Sequence, residues 1–286
     1  MTKKSAHILI FFLISNTFMI SNSMRYVRSI RSFATKSKTK ILKLGGSVIT
    51  DKSSPVGIAR ENVIDNIAKQ IALCSHPIIL THGTGSFGHP LYHAYNLEHE
   101  FNLAGTIKVY KAEKQLNNIV MESLHEHGIK AICIDPMYNI ICENGRIKNM
   151  PVELIEQLIA QGFVPVLFGT MVIDTKRKAY GLSSDQITMY LAEQLQIPDI
   201  GFGSSEYGVY DEYGDVIPEI NPVNFEELSK IIGGSEHVDV SGGMLGKVKE
   251  ALEANGLKSL IFNAAQKDSV SRFLHNDKPT GTGIVS

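Results

Sequence analysis

The sequence predicts an α/β fold built on a mainly parallel sheet covered on both faces, and two observations carry that prediction. Short apolar runs such as Pro77-Ile78-Ile79-Leu80 and Phe163–Phe168 alternate along the chain with stretches whose apolar residues recur at helical spacing. Strands separated by helices pair in parallel and need helices on both faces. The chain is also long enough, with 286 residues of which 43% are hydrophobic, to build one such domain with two lobes around a sizeable core.

In order, the stretch "KILKLGG" reads as a buried strand closed by glycines, and Val63, Ile64, Ile67 and Ile71 mark a helix. "PIIL" is a second strand. Val109 to His127 suits a helix with Leu116, Ile119, Val120 and Leu124 inward. "AICI" and "FVPVLF" follow as strands. Ser183 to Leu195 reads as a helix with Ile187, Leu191 and Leu195 on one stripe, opened by a Ser183…Gln186 pair that resembles a capping box. "VYDEYGDVIPEIN" reads as a hairpin or a long loop able to serve as a lid. Met244, Val248 and Leu252 mark a late helix stopped by Gly256.

Residues 1–38 are set apart from this domain, 39–286. They lack Asp and Glu, carry an apolar stretch from Ile8 to Ile20 behind Lys3-Lys4, and continue from Met24 in Arg, Lys and Ser. That pattern fits a two-part signal-plus-transit leader toward a plastid, or a mitochondrial leader if Met24 is the start. The alternative is an untargeted, disordered tail on a cytoplasmic protein. The apolar stretch is too short to predict a stable membrane span.

The charge balance, 28 basic against 29 acidic side chains, gives no global basic excess and argues against nucleic acid as partner. Three cysteines, Cys74, Cys133 and Cys142, form no C-x-x-C pair and are expected as small buried hydrophobes in a reducing compartment.

Four segments carry chemistry. In "KLGGSVITDK" the glycines after a strand let backbone amides approach a phosphate, while Lys43 and Lys52 offer charge to transferring oxygens. In "THGTGSFGHP", Gly83, Gly85 and Gly88 fit G-x-G-x-x-G, but the fingerprint by itself is weak. A dinucleotide site wants an acidic residue closing the next strand, and Glu98 and Glu100 come too early in a segment unlike a strand. His89, which donates a hydrogen bond and carries charge when protonated, suits a phosphate monoester better. In "GLSSDQ", Asp185 falls in the first turn of a helix, where it either stabilises the terminus or fixes two lysines. In "DVSGGMLGKVKEAL", Gly242-Gly243 open a helix that carries Lys247 one turn in, without the spacing of a P-loop. Together these describe phosphoryl transfer onto an acceptor that is already an anion, needing no general base. No carboxylate base stands in the sequence beside the acceptor loop.

Those four segments, in this order, resemble the amino acid kinase superfamily, and within it the isopentenyl phosphate kinases, from Lys40 to about Gly283. The resemblance implies a three-layer α/β/α sandwich, ATP with Mg2+ as donor, isopentenyl phosphate as acceptor, and a homodimer. Carried over by position, Lys43, Gly45, Gly46 and Ser47 contact ATP, and Lys52 stabilises the transition state. Gly83, Gly88 and His89 hold the substrate phosphate. Asp185 organises the lysines, and Gly243 and Lys247 meet the nucleotide's phosphates. Three positions depart from the family's pattern. Thr84 replaces a third glycine on the ATP side, Thr170 an aspartate on the substrate side, and "SSEYG" places Ser205 where an aspartate is expected, with Tyr210 retained. Competing readings are a kinase of another phosphate, phosphonate or acylamino acid, a dinucleotide-dependent oxidoreductase, and a nucleotide-binding protein of the same fold without turnover.

Overall fold

The structure, a computed structural model, describes residues 39–54, 56–232, 243–254 and 256–286. The expectations for the leader, 1–38, and for Gly242 lie outside the described residues.

The chain runs β1 (Lys40–Leu44), α1 (Gly46–Ile49), α2 (Glu61–Ala72), β2 (Ile78–His82), α3 (Gly85–Ala94), α4 (Leu103–Glu126), β3 (Ala131–Cys133) and α5 (Pro136–Asn139). It continues through β4 (Ile141–Glu143), β5 (Arg146–Asn149), α6 (Val152–Ala160), β6 (Val164–Phe168), β7 (Thr170–Asp174), β8 (Lys178–Leu182), α7 (Ser184–Leu195) and β9 (Asp199–Ser204). The last elements are β10 (Glu219–Ile220), α8 (Phe225–Ile232), α9 (Gly243–Glu253), β11 (Lys258–Asn263), α10 (Ser269–Leu274) and β12 (Gly281–Val285).

The main sheet has eight strands in the order β10-β12-β11-β9-β1-β2-β6-β3. Its pairings are parallel except β11 with β12. Alternation along each strand divides the core in two. Leu42, Leu44, Ile78 and Leu80 pack with Ile64 and Ile67 of α2, Leu116 and Val120 of α4 and Val270 of α10. Ile41 and Ile79 pack on the other face with Ile155 of α6, Ile187 and Leu191 of α7 and Val248 of α9. The sandwich is thus three-layered, as the family resemblance implies. Period two places Lys43 with Ile41 on the α7/α9 face, and it also points Thr81 at Thr188 of α7, 2.6 Å away.

A second sheet of four strands, β5-β4-β7-β8, forms the other lobe and was not foreseen strand by strand. Its Asn144-Gly145 turn has φ of 51° and 80°, the left-handed pair that a tight hairpin needs. Asp174 Oδ1 and Oδ2 accept from the amides of Asn144, Gly145, Lys176 and Arg177, so one buried carboxylate organises two turns.

Three local expectations are revised. The long helix starts at Leu103, not Val109, because Asn102 caps it by accepting from Gly105 N at 2.9 Å. Ser183 caps α7 by accepting from Gln186 N, but the Gln186 side chain does not return; it donates to Gly145 O, so the capping box is only half made. Of the cysteines only Cys142 is fully buried, while Cys74 and Cys133 are half-buried. Of the two readings of "VYDEYGDVIPEIN", the structure has the hairpin, closed by the antiparallel bridge Tyr210–Val216.

Candidate active site

Leu44, His82 and Phe168 end neighbouring strands in register with Gly203, the last residue but one of β9, so the segments that follow emerge side by side at one edge of the sheet. The ladder runs one residue further. Gly45 N donates to Gly203 O, Gly83 N to Leu44 O, and Gly169 N to His82 O, at 2.7, 2.8 and 2.9 Å. The carboxyl ends of parallel strands are where α/β folds bind ligands. Two helices, α3 and α7, begin here and turn their N-terminal amides and positive dipole ends to this edge.

The two glycine loops, read separately in the sequence, lie backbone against backbone. A methyl group on Gly46 would stand 2.3 Å from Gly85 N and 2.7 Å from its Cα. Gly85 adopts φ +45°, whereas Thr84 has φ −108°, so nothing in the backbone requires glycine at position 84. Thr50, fully buried, clamps the pair. Its hydroxyl donates to Gly46 O at 2.7 Å and accepts from Ser86 N at 3.1 Å. Sequence inspection did not single out Thr50. Thr50→Val is expected to cost about 1–3 kcal/mol, as the buried Ser86 amide loses its partner while Gly46 O keeps the Thr50 N–H. Urea unfolding measures it, and an unchanged midpoint would refute the clamp.

Behind the loops lies a buried triad. Asp185, in the first turn of α7, accepts from Lys43 Nζ on β1 at 2.9 Å and from Lys247 Nζ on α9 at 3.0 Å. Burial by itself would raise the Asp185 carboxyl, yet Lys247 and Lys43 hold it below the ordinary carboxylate range. Burial first, and then the Lys247 cation, lowers Lys43 to about 8 against the pull of Asp185. Two cations sharing one anion leave a local excess of positive charge where water is excluded, which is a site for an anion. Lys247 also sits 5.3 Å over the Phe202 ring.

The remaining expected residues are distributed around this centre. Ser205 Oγ meets Ser47 Oγ at 3.2 Å, joining the β9 loop to the β1 loop, and Asn263 at the end of β11 holds Ser205 O at 2.8 Å. The Tyr210 hydroxyl accepts from Tyr207 N. Gly243, with φ 57°, opens α9. His89 is half-buried on α3, one residue beyond Gly88. Lys52 stands on an exposed turn between Thr50 and Ala59, outside the triad.

One expectation fails. A carboxyl does lie beside the Gly83–His89 segment, read in the sequence as the acceptor loop: Glu113 of α4, buried against Thr84 and Gly88. At helical spacing it is indistinguishable from a solvated acid, and only the packing of α4 on α3 reveals it. Next to β7 opens a cavity of about 540 Å³, lined by Tyr92, Phe101, Met171 and Tyr180 together with the charged Glu98, Glu100 and Arg177.

A model of the amino acid kinase family matches residues 38–263. The isopentenyl phosphate kinase of Methanothermobacter thermautotrophicus is 32% identical over 261 residues, covering 86% of this chain and 98% of that protein. That of Haloferax volcanii is 32% identical over 248 residues, covering 85% and 97%. An X-ray structure of isopentenyl phosphate kinase superposes with a TM-score of 0.75 at 30% identity, covering 86% of this chain and all of that one.

Proposed function

Since the chain belongs to the amino acid kinase family, we propose that it transfers the γ-phosphoryl group of ATP to isopentenyl phosphate, forming isopentenyl diphosphate. The observation that carries this reading is the buried Lys43–Asp185–Lys247 triad behind two interlocked glycine loops. The acceptor oxygen is already ionised at neutral pH, so the protein's task is to bring two anions into line and cancel their repulsion. Gly45, Gly46 and Ser47, with Ser205, Tyr210 and Gly243, line the donor side in this reading. Lys43 and Lys247 neutralise the donor phosphates. Gly83, Gly88, His89 and Thr170 take the acceptor phosphate at the start of α3. The cavity beside Met171 and Tyr92 receives the hydrocarbon tail, and its volume lies within the usual range for small-ligand sites.

Mg2+ belongs to this chemistry as part of MgATP, where it would shield the transferring phosphate. Among the described residues no three His, Cys, Asp or Glu side chains group into a metal site, and Asp185 is taken up by the lysines.

Release of ADP by the full chain, with isopentenyl phosphate as acceptor and N-acetylglutamate as comparison, tests the assignment. Faster turnover of the acylamino acid, or none of either, would overturn it. Lys52 enters as the residue that meets the transferring group from the rim. Lys52→Ala is expected to lower kcat on the order of 100-fold with the KM for ATP nearly unchanged. Normal turnover would remove that role. We further take the protein to be a homodimer, checked by light scattering. Residues 1–38 are read as an organelle leader, checked by where a fluorescent fusion of them localises. No helix among the described residues is long and apolar enough to cross a membrane.

A further inference from the structure

Where α3, α4 and β7 meet, the structure holds a carboxyl group that the phosphoryl-transfer reading leaves unused. Glu113 is 6% exposed and Thr170 is 2% exposed. A methyl group on Gly88 would stand 2.4 Å from Glu113 Oε1 and 2.5 Å from Thr84 Oγ1. The carboxyl and the hydroxyl therefore occupy the space that any side chain at position 88 would need. The hydroxyls of Thr84 and Thr170 and the N–H of Met171 approach this carboxyl. Glu113 Oε2 and Thr170 Oγ1 nevertheless complete no hydrogen bond within the protein. Two buried polar atoms with unspent bonding capacity thus flank the Gly83–His89 loop, and such atoms call for an explanation.

We propose that Glu113 is a positioning residue for the acceptor phosphate: its buried carboxyl spans from Thr84, at the cap of α3, to Thr170, at the start of β7, and so sets where Gly88 and His89 stand. The inference rests on the kinase reading above and assigns a residue to its acceptor side. It also joins two departures from the family pattern, Thr84 and Thr170, as the two hydroxyls that face one carboxyl.

The chemistry favours an uncharged acid there. Burial pushes the Glu113 carboxyl up to about 8, against the pull of the two threonine hydroxyls and the Met171 amide. At neutral pH it is mostly protonated and supplies one donor and one acceptor, matching two hydroxyls and an amide. Once ionised, it sets a negative charge against Gly88, where a phosphate is to bind. Titratable groups on the elements packed around it include His89, Tyr92 and His93 on α3, Cys133 on β3, and Lys108, Tyr110, Lys111 and Lys114 on α4. Tyr110 and Lys114 are both turned to Asp135. At the far end of β7, Asp174 is taken up by turn amides.

The test compares the wild-type chain with Glu113→Ala and Glu113→Gln, measuring KM for isopentenyl phosphate and for ATP from about pH 6 to 9. Glu113→Ala is expected to raise the acceptor KM on the order of tenfold with the KM for ATP almost unmoved, and Glu113→Gln to restore most of that loss. The wild-type acceptor KM rises as the pH passes about 8, and that rise is absent in Glu113→Gln. Any alkaline fall due to Lys43 is common to all three chains. A second readout needs no turnover. The folded-state value lies above the unfolded one, so wild-type stability declines as pH rises from about 4.3 toward the folded-state value, a slope that Glu113→Gln lacks. Equal shifts in both KM values, or a Glu113→Gln acceptor curve that follows wild type, would overturn the proposal. If Glu113→Ala does not fold, the glutamine variant decides by the same two curves. A wild-type chain inactive toward isopentenyl phosphate overturns the substrate reading and this proposal with it. The unfolding slope then reports separately whether Glu113 is neutral.

Discussion

Asp185→Asn is expected to be the most damaging single substitution in this protein. It keeps the size of the side chain and removes the one anion between Lys43 and Lys247, whose side chains are 5% and 9% exposed. Leaving a buried ion pair with one partner missing typically costs about 3–5 kcal/mol. Part of that cost is avoided if Lys43, already lowered by its burial, gives up its proton. In that event the site loses the cation it needs. Either route lowers kcat, on the order of 100-fold or more, because a preorganised charge opposite the transferring group is lost or displaced. The pH dependence has a definite sign. The folded-state value of Asp185 is depressed, so its stabilisation is fully present above the unfolded carboxylate value and is lost as pH falls through the folded one. The stability gap between wild type and Asp185→Asn should therefore be wide at neutral pH and close in acid. Urea unfolding at both pH values, with initial rates at neutral pH, measures this. Equal stability and equal rates would dismantle the triad as an organising centre.

Gly46→Ala comes second. The added methyl meets Gly85 N at 2.3 Å and Thr84 N at 3.2 Å, which are backbone atoms that cannot swing aside. The loops must separate, and the donor and acceptor sides separate with them. A misplacement of about 1 Å in a positioning site costs on the order of 100-fold in rate. Both KM values and kcat are expected to worsen together, in contrast to the split expected for Lys52→Ala. Steady-state kinetics with each substrate varied in turn makes the distinction. A change confined to ATP would mean that the two loops act independently.

Much of this site could be read before any coordinates. Lys43, Asp185 and Lys247 stand out because an ionisable group next to apolar strand and helix positions is costly unless it is paired. The glycines after β1 and β2 are legible because a strand that ends in glycine signals close backbone approach. Thr50, Glu113 and Asn263 were not legible. A threonine after a short helix, a glutamate in a long helix and an asparagine at a strand end are ordinary surface choices. Their roles come from partners distant in the chain, as with Asn263 and Ser205. The four-stranded lobe was missed for a related reason. Its strands β4 and β5 are short and partly exposed, so they carry little periodic signal, although Asn144-Gly145 marks the hairpin between them.

The sequence by itself determined the layered parallel fold, the order of its glycine loops and the family of the chain, because period, glycine placement and lysine position are local properties written along one strand or helix. Only the tertiary structure decided that the two glycine loops interlock, that Asp185 stands between both lysines, and that a carboxyl lies against Gly88. Those facts depend on the register between strands and the packing of helices across the sheet. They arise when residues far apart in the chain lose water to one another, a condition that no single stretch of sequence records.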